Sequence, residues 1–283
     1  MVEMPLVLRE DRDRVATLYL NRPDRSNAWT PELERELYAT LDALVGDDTI
    51  GAVVLTGAGR AFCGGADMDW LASADSESEP SSHSFLWPLS FPKPLIAAVN
   101  GACAGLGFQV ALMCDVRFVA AEAKLTTAFA RRGLIAEHGL SWLMPQMFGL
   151  PVALDLLLSA RVFTGVEAQE LGVAHRAVPR ESLLENAYEY ARDLAHNVSP
   201  TAMAIIKWQL YNHPRMDFLA SVDHSDELMN ESFERADLSE GIASFVEKRS
   251  PAFGPLDFAA VPAAQGDLFD RIRNVTKEPV SNV

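Results

Sequence analysis

The sequence predicts an α/β fold with a parallel sheet and a helical final third, and three observations carry that prediction. Short apolar runs bounded by chain-breaking residues recur at Val15 to Leu20, Gly51 to Thr56, Leu95 to Val99 and Val116 to Ala120, each the length of a buried strand. Stretches with helical periodicity lie between them, and parallel strands need such long crossover connections. After about Leu140 the pattern turns helical and capping signals replace apolar runs. A chain of 283 residues fits two domains or one large domain with appended helices. The expected division is a core over 1–198, a helical region over 199–265 and a loose tail over 266–283.

The elements follow in order. Asn21, Arg22, Pro23 and Asp24 break the first strand. A helix then opens with Thr30 as N-cap and Pro31 at its first position, and Leu33, Leu37, Leu41 and Leu44 share one face. The 21 uncharged residues from Pro94 to Cys114 approach the length of a membrane span. Pro94, Asn100, Gln109 and three glycines within them instead indicate a buried strand, a glycine turn and a buried helix. Thr164 with Glu167 and Ser182 with Glu185 have capping-box spacing, with Gly172 and Asn197 suited to the helix ends. Ser199-Pro200 opens a further helix, and Phe218 to Arg235 and Ser239 to Arg249 give two more. Asp75 to Ser84 is polar and acidic and reads as a mobile loop. No internal repeat is evident in the sequence.

Composition narrows the function. Lys plus Arg total 24 against 39 Asp plus Glu, a net charge of -15, so nucleic acid as a general partner is disfavoured by repulsion of phosphate. Cys63, Cys103 and Cys114 form no CxxC pair, which argues against a disulfide framework and against a zinc site, and no metal is expected. Free thiols and the absence of an apolar leader in Met1 to Arg14 fit a cytoplasmic protein.

Two glycine-rich turns follow buried strands: Gly57 to Asp67 (GAGRAFCGGAD) and Asn100 to Gln109 (NGACAGLGFQ). The second runs into a helix, whose first N–H groups have no internal acceptor and whose dipole favours negative charge. Side by side, the two turns can direct one N–H each at a single carbonyl oxygen as it becomes an oxyanion or enolate. For either turn taken alone, tight turning and close packing are the favoured reading. A dinucleotide fingerprint fits poorly, because Gly101, Gly105 and Gly107 lie far from the first strand.

The chain resembles the crotonase (enoyl-CoA hydratase/isomerase) superfamily in four ordered segments: NRPDRSNA at 21–28, GRAFCGGADM at 59–68, KPLIAAVNGACAGLGFQVALMCD at 93–115 and FVEKRSPAF at 245–253. The resemblance implies a spiral of ββα turns, a C-terminal helical trimerisation region and an acyl-CoA thioester as substrate, with coenzyme A part of that substrate and no separate cofactor. It implies a homo-trimer or dimer of trimers with no membrane partner. The main-chain N–H groups that hold the thioester oxygen map to Ala66 and Leu106. The positions around the coenzyme A nucleotide map to Arg25, Ser26, Gly64, Asp67 and Met68, and Phe245 and Lys248 match residues that reach it from a neighbouring subunit.

Hydratases of the family use two glutamates to hold and activate one water. Here those positions carry Gln109 and Phe129, and an amide does not titrate in the useful range. Glu137 instead aligns with the aspartate acid/base of the family's dienoyl-CoA isomerases. One carboxylate suffices for a proton shift, and burial among Leu134, Ile135 and Trp142 is expected to raise its pKa. The alternatives are a solvated Glu137 or one paired with Arg131 or Arg132, hydratase chemistry using Glu137 with Gln109, and a noncatalytic acyl-CoA binder. His138 is expected to be a polar surface residue or to orient Glu137. Cys63 and Cys103 are expected to be packing residues, and Trp70, Phe85 and Trp87 either line an acyl tunnel or anchor the acidic loop.

Overall fold

A computed structural model describes residues 4–73, 83–263 and 267–273. Strands β1 (Val7–Arg12) and β2 (Val15–Leu20) form a hairpin, and a short 3-10 turn at Pro23–Arg25 leads to helix α1 (Pro31–Val45). Thr30 caps α1 by accepting from the Leu33 N–H. Leu33, Leu37, Leu41 and Leu44 are all buried on its inner face, each contributing about 1.5–3 kcal/mol relative to exposure. The chain continues through β3 (Ala52–Gly57), α2 (Met68–Ser73), β4 (Leu95–Val99), β5 (Cys103–Ala104), α3 (Leu106–Met113), β6 (Val116–Ala120) and β7 (Lys124–Thr126). Next come α4 (Leu140–Phe148), α5 (Leu150–Ser159), β8 (Phe163–Thr164), α6 (Gly165–Glu170), β9 (Arg176–Val178), α7 (Arg180–Asn197), α8 (Pro200–Asn212), α9 (Phe218–Phe233), α10 (Ala236–Glu247) and α11 (Leu268–Arg273).

The main sheet has the order β1-β2-β3-β4-β6-β9, parallel from β2 onward. A second sheet runs β5-β7-β8, and a parallel bridge between Cys63 and Cys103 extends it toward the first glycine turn. Each turn of the chain therefore supplies a strand to the main sheet, a short strand or bridge to the second, and a helix. This is the expected spiral of ββα turns. The repeat lies in backbone geometry, since the second-sheet strands are two or three residues long and leave no sequence period. Helix α7 covers the main sheet by packing on β2, β3, β4 and β6, with Leu183, Ala187 and Ala191 buried beneath it.

Several expectations are corrected. The region after Leu140 is not helical throughout, because β8 and β9 complete the two sheets; both are too short to show strand alternation. Ser182 does not cap a helix. Helix α7 already begins at Arg180 after Pro179, which sits at φ −54° and ψ 140°, and Ser182 Oγ donates back to the Pro179 carbonyl. The tail expected to be loose from 266 contains α11, with Phe269 and Ile272 buried against the core. It is fastened where the Leu268 N–H donates to Asn212 Oδ1 and Trp208 Nε1 donates to Asp267. Helix α10 starts at Ala236, before the expected Ser239, and Lys248 in the left-handed region ends it. Of the acidic loop expected over Asp75 to Ser84, residues 75–82 lie outside the described residues. No described helix is long and apolar enough to cross a membrane.

Candidate active site

The site begins where β3 and β4 end side by side in the sheet. The turns that leave them continue the pairing: the Phe62 and Cys63 N–H groups both donate to the Ala102 carbonyl at 3.1 Å, and the Ala104 N–H donates to the Cys63 carbonyl at 3.0 Å. Gly65 then meets the second turn so closely that a Cβ on it would lie 2.9 Å from the Ala104 carbonyl oxygen. Its φ of +98° excludes ordinary side chains in any case. The residues that follow the contact, Ala66 and Leu106, line one cavity of about 250 Å³.

Both of their amides face away from the surrounding secondary structure. In the parallel bridge between Trp29 and Ala66, the Trp29 N–H donates to the Gly65 carbonyl and the Asp67 N–H donates to the Trp29 carbonyl. Such a bridge uses the neighbours of Ala66 and turns its own N–H to the opposite side. Leu106 is the first residue of α3 after Gly105, where helix geometry provides no acceptor. Among the described residues neither N–H donates to a backbone acceptor.

The segment from Ala128 to His138 supplies more of the wall. Phe129, Leu134, Glu137 and His138 all line the cavity. Glu137 is half-buried, and burial raises its carboxyl above the ordinary carboxylate range. It makes no ion pair with Arg131 or Arg132: Arg131 Nε donates to the Ser159 carbonyl and Arg132 Nη1 to the Ala128 carbonyl. Of the three residues expected to bury it, only Leu134 reaches the cavity. Ile135 is 79% exposed and Trp142 44% exposed, so neither forms a wall of the site in this chain.

Gln109 lies behind the cavity wall. Its side chain is fully buried and does not line the cavity. Nε2 donates instead to the backbone carbonyls of Glu137 at 3.2 Å and His138 at 3.0 Å. His138 holds a positive φ of 44°, and its ring stacks on Phe85 with centroids 4.3 Å apart. The loop carrying the carboxylate is thus gripped from helix α3 and from an aromatic neighbour. Cys63 and Cys103 are buried in the paired turns, and burial pushes the Cys63 thiol up to about 12, as packing residues require.

The remaining expected residues divide. Gly64 and Met68 line the cavity together with Trp70. Ser26 accepts at its carbonyl from the Gly64 N–H. Asp67 is buried, and although burial works to raise its carboxyl, hydrogen bonds from Arg22 at 2.9 Å and Arg25 at 3.2 Å hold it down at about 2. Arg25 also pairs with Asp69, so Arg25, Ser26 and Asp67 form a patch beside the cavity, adjoining its lining residues Gly64 and Met68. Trp87 lies in the core against Tyr38 and Phe91. Phe245, 85% exposed, lines a separate surface cavity with Phe253, and neither it nor Lys248 lines the Glu137 cavity. Sequence reasoning missed Leu71, Ala128 and Arg132 as lining residues. They sit in irregular segments or in a six-residue helix, where periodicity carries no signal.

Comparison with known proteins identifies the family. The family model described as enoyl-CoA hydratase/isomerase matches residues 10–255. The chain is 34% identical over 260 residues to the 1,2-epoxyphenylacetyl-CoA isomerase of Escherichia coli, covering 88% of this chain and 98% of that protein. Among solved structures, an enoyl-CoA hydratase from Bacillus anthracis superposes with a TM-score of 0.82 at 28% identity, covering 88% of this chain and 98% of that one. An enoyl-CoA hydratase from Mycobacterium marinum is 44% identical with a TM-score of 0.66, covering 75% of this chain and all of that one. With paired glycine turns on a ββα spiral and matches over most of its length, the chain belongs to the enoyl-CoA hydratase/isomerase family of acyl-CoA enzymes, the crotonase superfamily.

Proposed function

We propose that the enzyme moves a double bond along the acyl group of a coenzyme A thioester, with Glu137 as its single acid/base. The observation that carries the proposal is the content of the cavity. Glu137 is the only carboxylate among its described lining residues, which also include Ala66 and Leu106, while by resemblance Gln109 and Phe129 occupy the places of a hydratase's two glutamates. The carboxylate takes a proton from the α or γ carbon. The electron pair moves into the thioester carbonyl, and the resulting enolate oxygen accepts from the two N–H groups. The proton then returns from Glu137 to the other end of the conjugated system. A preorganised donor of this kind contributes about 10²–10³ in rate, and the acid/base about 10²–10⁴.

The raised carboxyl of Glu137 brings it nearer the pH at which it must both take and return a proton. The name of the Escherichia coli relative, an isomerase of an epoxidised acyl-CoA, supports isomerase over hydratase chemistry without naming a double-bond shift. Hydration needs a second group to hold water, and Gln109 is buried outside the cavity with its amide N–H groups on the loop carbonyls. The patch of Arg25, Ser26, Gly64, Asp67 and Met68 is assigned to the coenzyme A moiety, with contacts from Phe245 and Lys248 of a neighbouring copy in a homo-trimer or dimer of trimers. Exposed apolar side chains on α9 and α10, including Phe218, Phe233, Ile242 and Phe245, support such an assembly.

The test is incubation with a 3-enoyl-CoA and, separately, a 2-enoyl-CoA, following the absorbance of the conjugated thioester. Rising absorbance from the 3-enoyl substrate with no 3-hydroxyacyl product supports the proposal. Hydration of the 2-enoyl substrate without isomerisation contradicts it.

A further inference from the structure

Arg132 is a cation in the acyl cavity that the proton transfer does not use. It ends the 3-10 turn Ala130–Arg132 and lines the cavity shared by Glu137, Ala66 and Leu106. Its Nη1 donates to the Ala128 carbonyl at 3.3 Å, and Ala128 lines the same cavity, so the guanidinium is held at the cavity wall. Among the described residues Arg132 makes no ion pair. Its neighbour Arg131 turns away to the Ser159 carbonyl and does not line the cavity. A guanidinium carries five N–H donors in a planar fork suited to carboxylate, and a single neutral carbonyl uses little of that capacity.

The surroundings say where the charge is directed. Among the described residues no ion pair or hydrogen bond joins Arg132 to Glu137, and the printed hydrogen bond of the guanidinium goes to the Ala128 carbonyl. Most of the other lining side chains are apolar or absent, among them Met68, Trp70, Leu71, Phe129 and Leu134. In a chain of net charge -15, a cation placed among them attracts an anionic ligand group.

We infer that Arg132 makes this site selective for thioesters whose acyl group ends in an anionic group, a carboxylate in the simplest case. The inference rests on the proposed thioester site. The ligand offers two sources of negative charge, the acyl terminus and the phosphates of coenzyme A. Position favours the first: Arg132 belongs to the segment that carries Phe129, Leu134 and Glu137, the last being the proposed acid/base. The patch assigned to coenzyme A lies on the first glycine turn and the 22–26 turn.

Calorimetry with two saturated thioesters of equal chain length, adipoyl-CoA with its free carboxylate and hexanoyl-CoA, tests this without turnover. The wild-type protein is expected to bind adipoyl-CoA at least about tenfold more tightly, the size of a charge-assisted hydrogen bond at a partly open site. Arg132→Leu is expected to bring that ratio close to one, chiefly by weakening adipoyl-CoA, and Arg132→Lys to retain part of it. Equal wild-type affinities overturn the inference. So does an equal loss of both ligands in Arg132→Leu, which assigns the charge to the phosphates. Binding of neither thioester refutes the site itself and the inference with it, a result distinct from equal binding of both.

Discussion

The side-chain amide of Gln109 donates to the backbone carbonyl of Glu137 at 3.2 Å. Gln109, which the resemblance aligns with a hydratase glutamate, therefore supports the residue proposed as acid/base. The same Nε2 reaches the His138 carbonyl at 3.0 Å, so helix α3 fixes both the Leu106 N–H at its start and the Glu137 loop one turn later. The proposed oxyanion donor and the proposed proton carrier are thus positioned by one rigid element, as a reaction sensitive to sub-ångström placement requires.

Gln109→Met removes the donor while keeping length and apolar volume. Two carbonyls lose their partner, and stability is expected to fall by about 1–3 kcal/mol in chemical denaturation. Because the loop shifts more than the thioester contacts, kcat is expected to fall at least about tenfold with KM changed much less. A drop confined to KM contradicts the positioning role.

Glu137→Gln removes the titrating group and keeps its shape. Isomerisation is expected to fall by about 10²–10⁴, while the affinity for a saturated acyl-CoA changes less than about threefold in calorimetry. Retained turnover excludes Glu137 from the chemistry.

The pH dependence follows from the direction of the Glu137 shift. The base form is the carboxylate, so kcat/KM is expected to decline as pH falls through a pKa raised by burial, above the ordinary value of about 4.3. Burial also makes the charged form costly in the folded state. Glu137→Gln is therefore expected to show an unchanged or higher Tm near neutral pH. An acid limb at or below the ordinary carboxylate value counts against the assignment.

Asp67 shifts the opposite way. Held at about 2 by Arg22 and Arg25 against its burial, it binds a proton more readily unfolded, near 3.9, than folded. Its contribution is complete above about pH 4 and lost as pH falls toward 2. Asp67→Asn is expected to lower stability near neutral pH by about 1–3 kcal/mol in denaturant titrations. The gap from wild type should narrow between pH 4 and pH 2, and a gap that widens there contradicts the pairing.

The strands at Val15–Leu20 and Leu95–Val99 and the caps at Thr30, Thr164 and Ser199 were legible because local chemistry decides them. Uninterrupted apolar runs and hydroxyls one residue before a helix act within a few positions. Strands β7, β8 and β9 were not, since two or three residues take extended form only when a neighbouring strand offers its ladder. Helix α11 was missed because what holds it, Asn212 and Trp208, lies some 56 residues away in sequence. In the site, the glycine turns announced themselves by composition. The partnership of Gln109 with the Glu137 carbonyls and the entry of Arg132 into the cavity depend on how α3 meets the 128–138 segment, and no spacing in the chain encodes that meeting.

The central claim is that Glu137 withdraws a carbon-bound proton while Ala66 and Leu106 hold the enolate. Incubating the enzyme with a 3-enoyl-CoA in D2O and following the substrate and product by NMR reads that step directly. Deuterium is expected at the α or γ carbon in the wild-type reaction and to be absent, within about one part in a hundred of the wild-type rate, with Glu137→Gln. Label entering at the wild-type rate in that variant, or turnover that yields only 3-hydroxyacyl-CoA, contradicts the account.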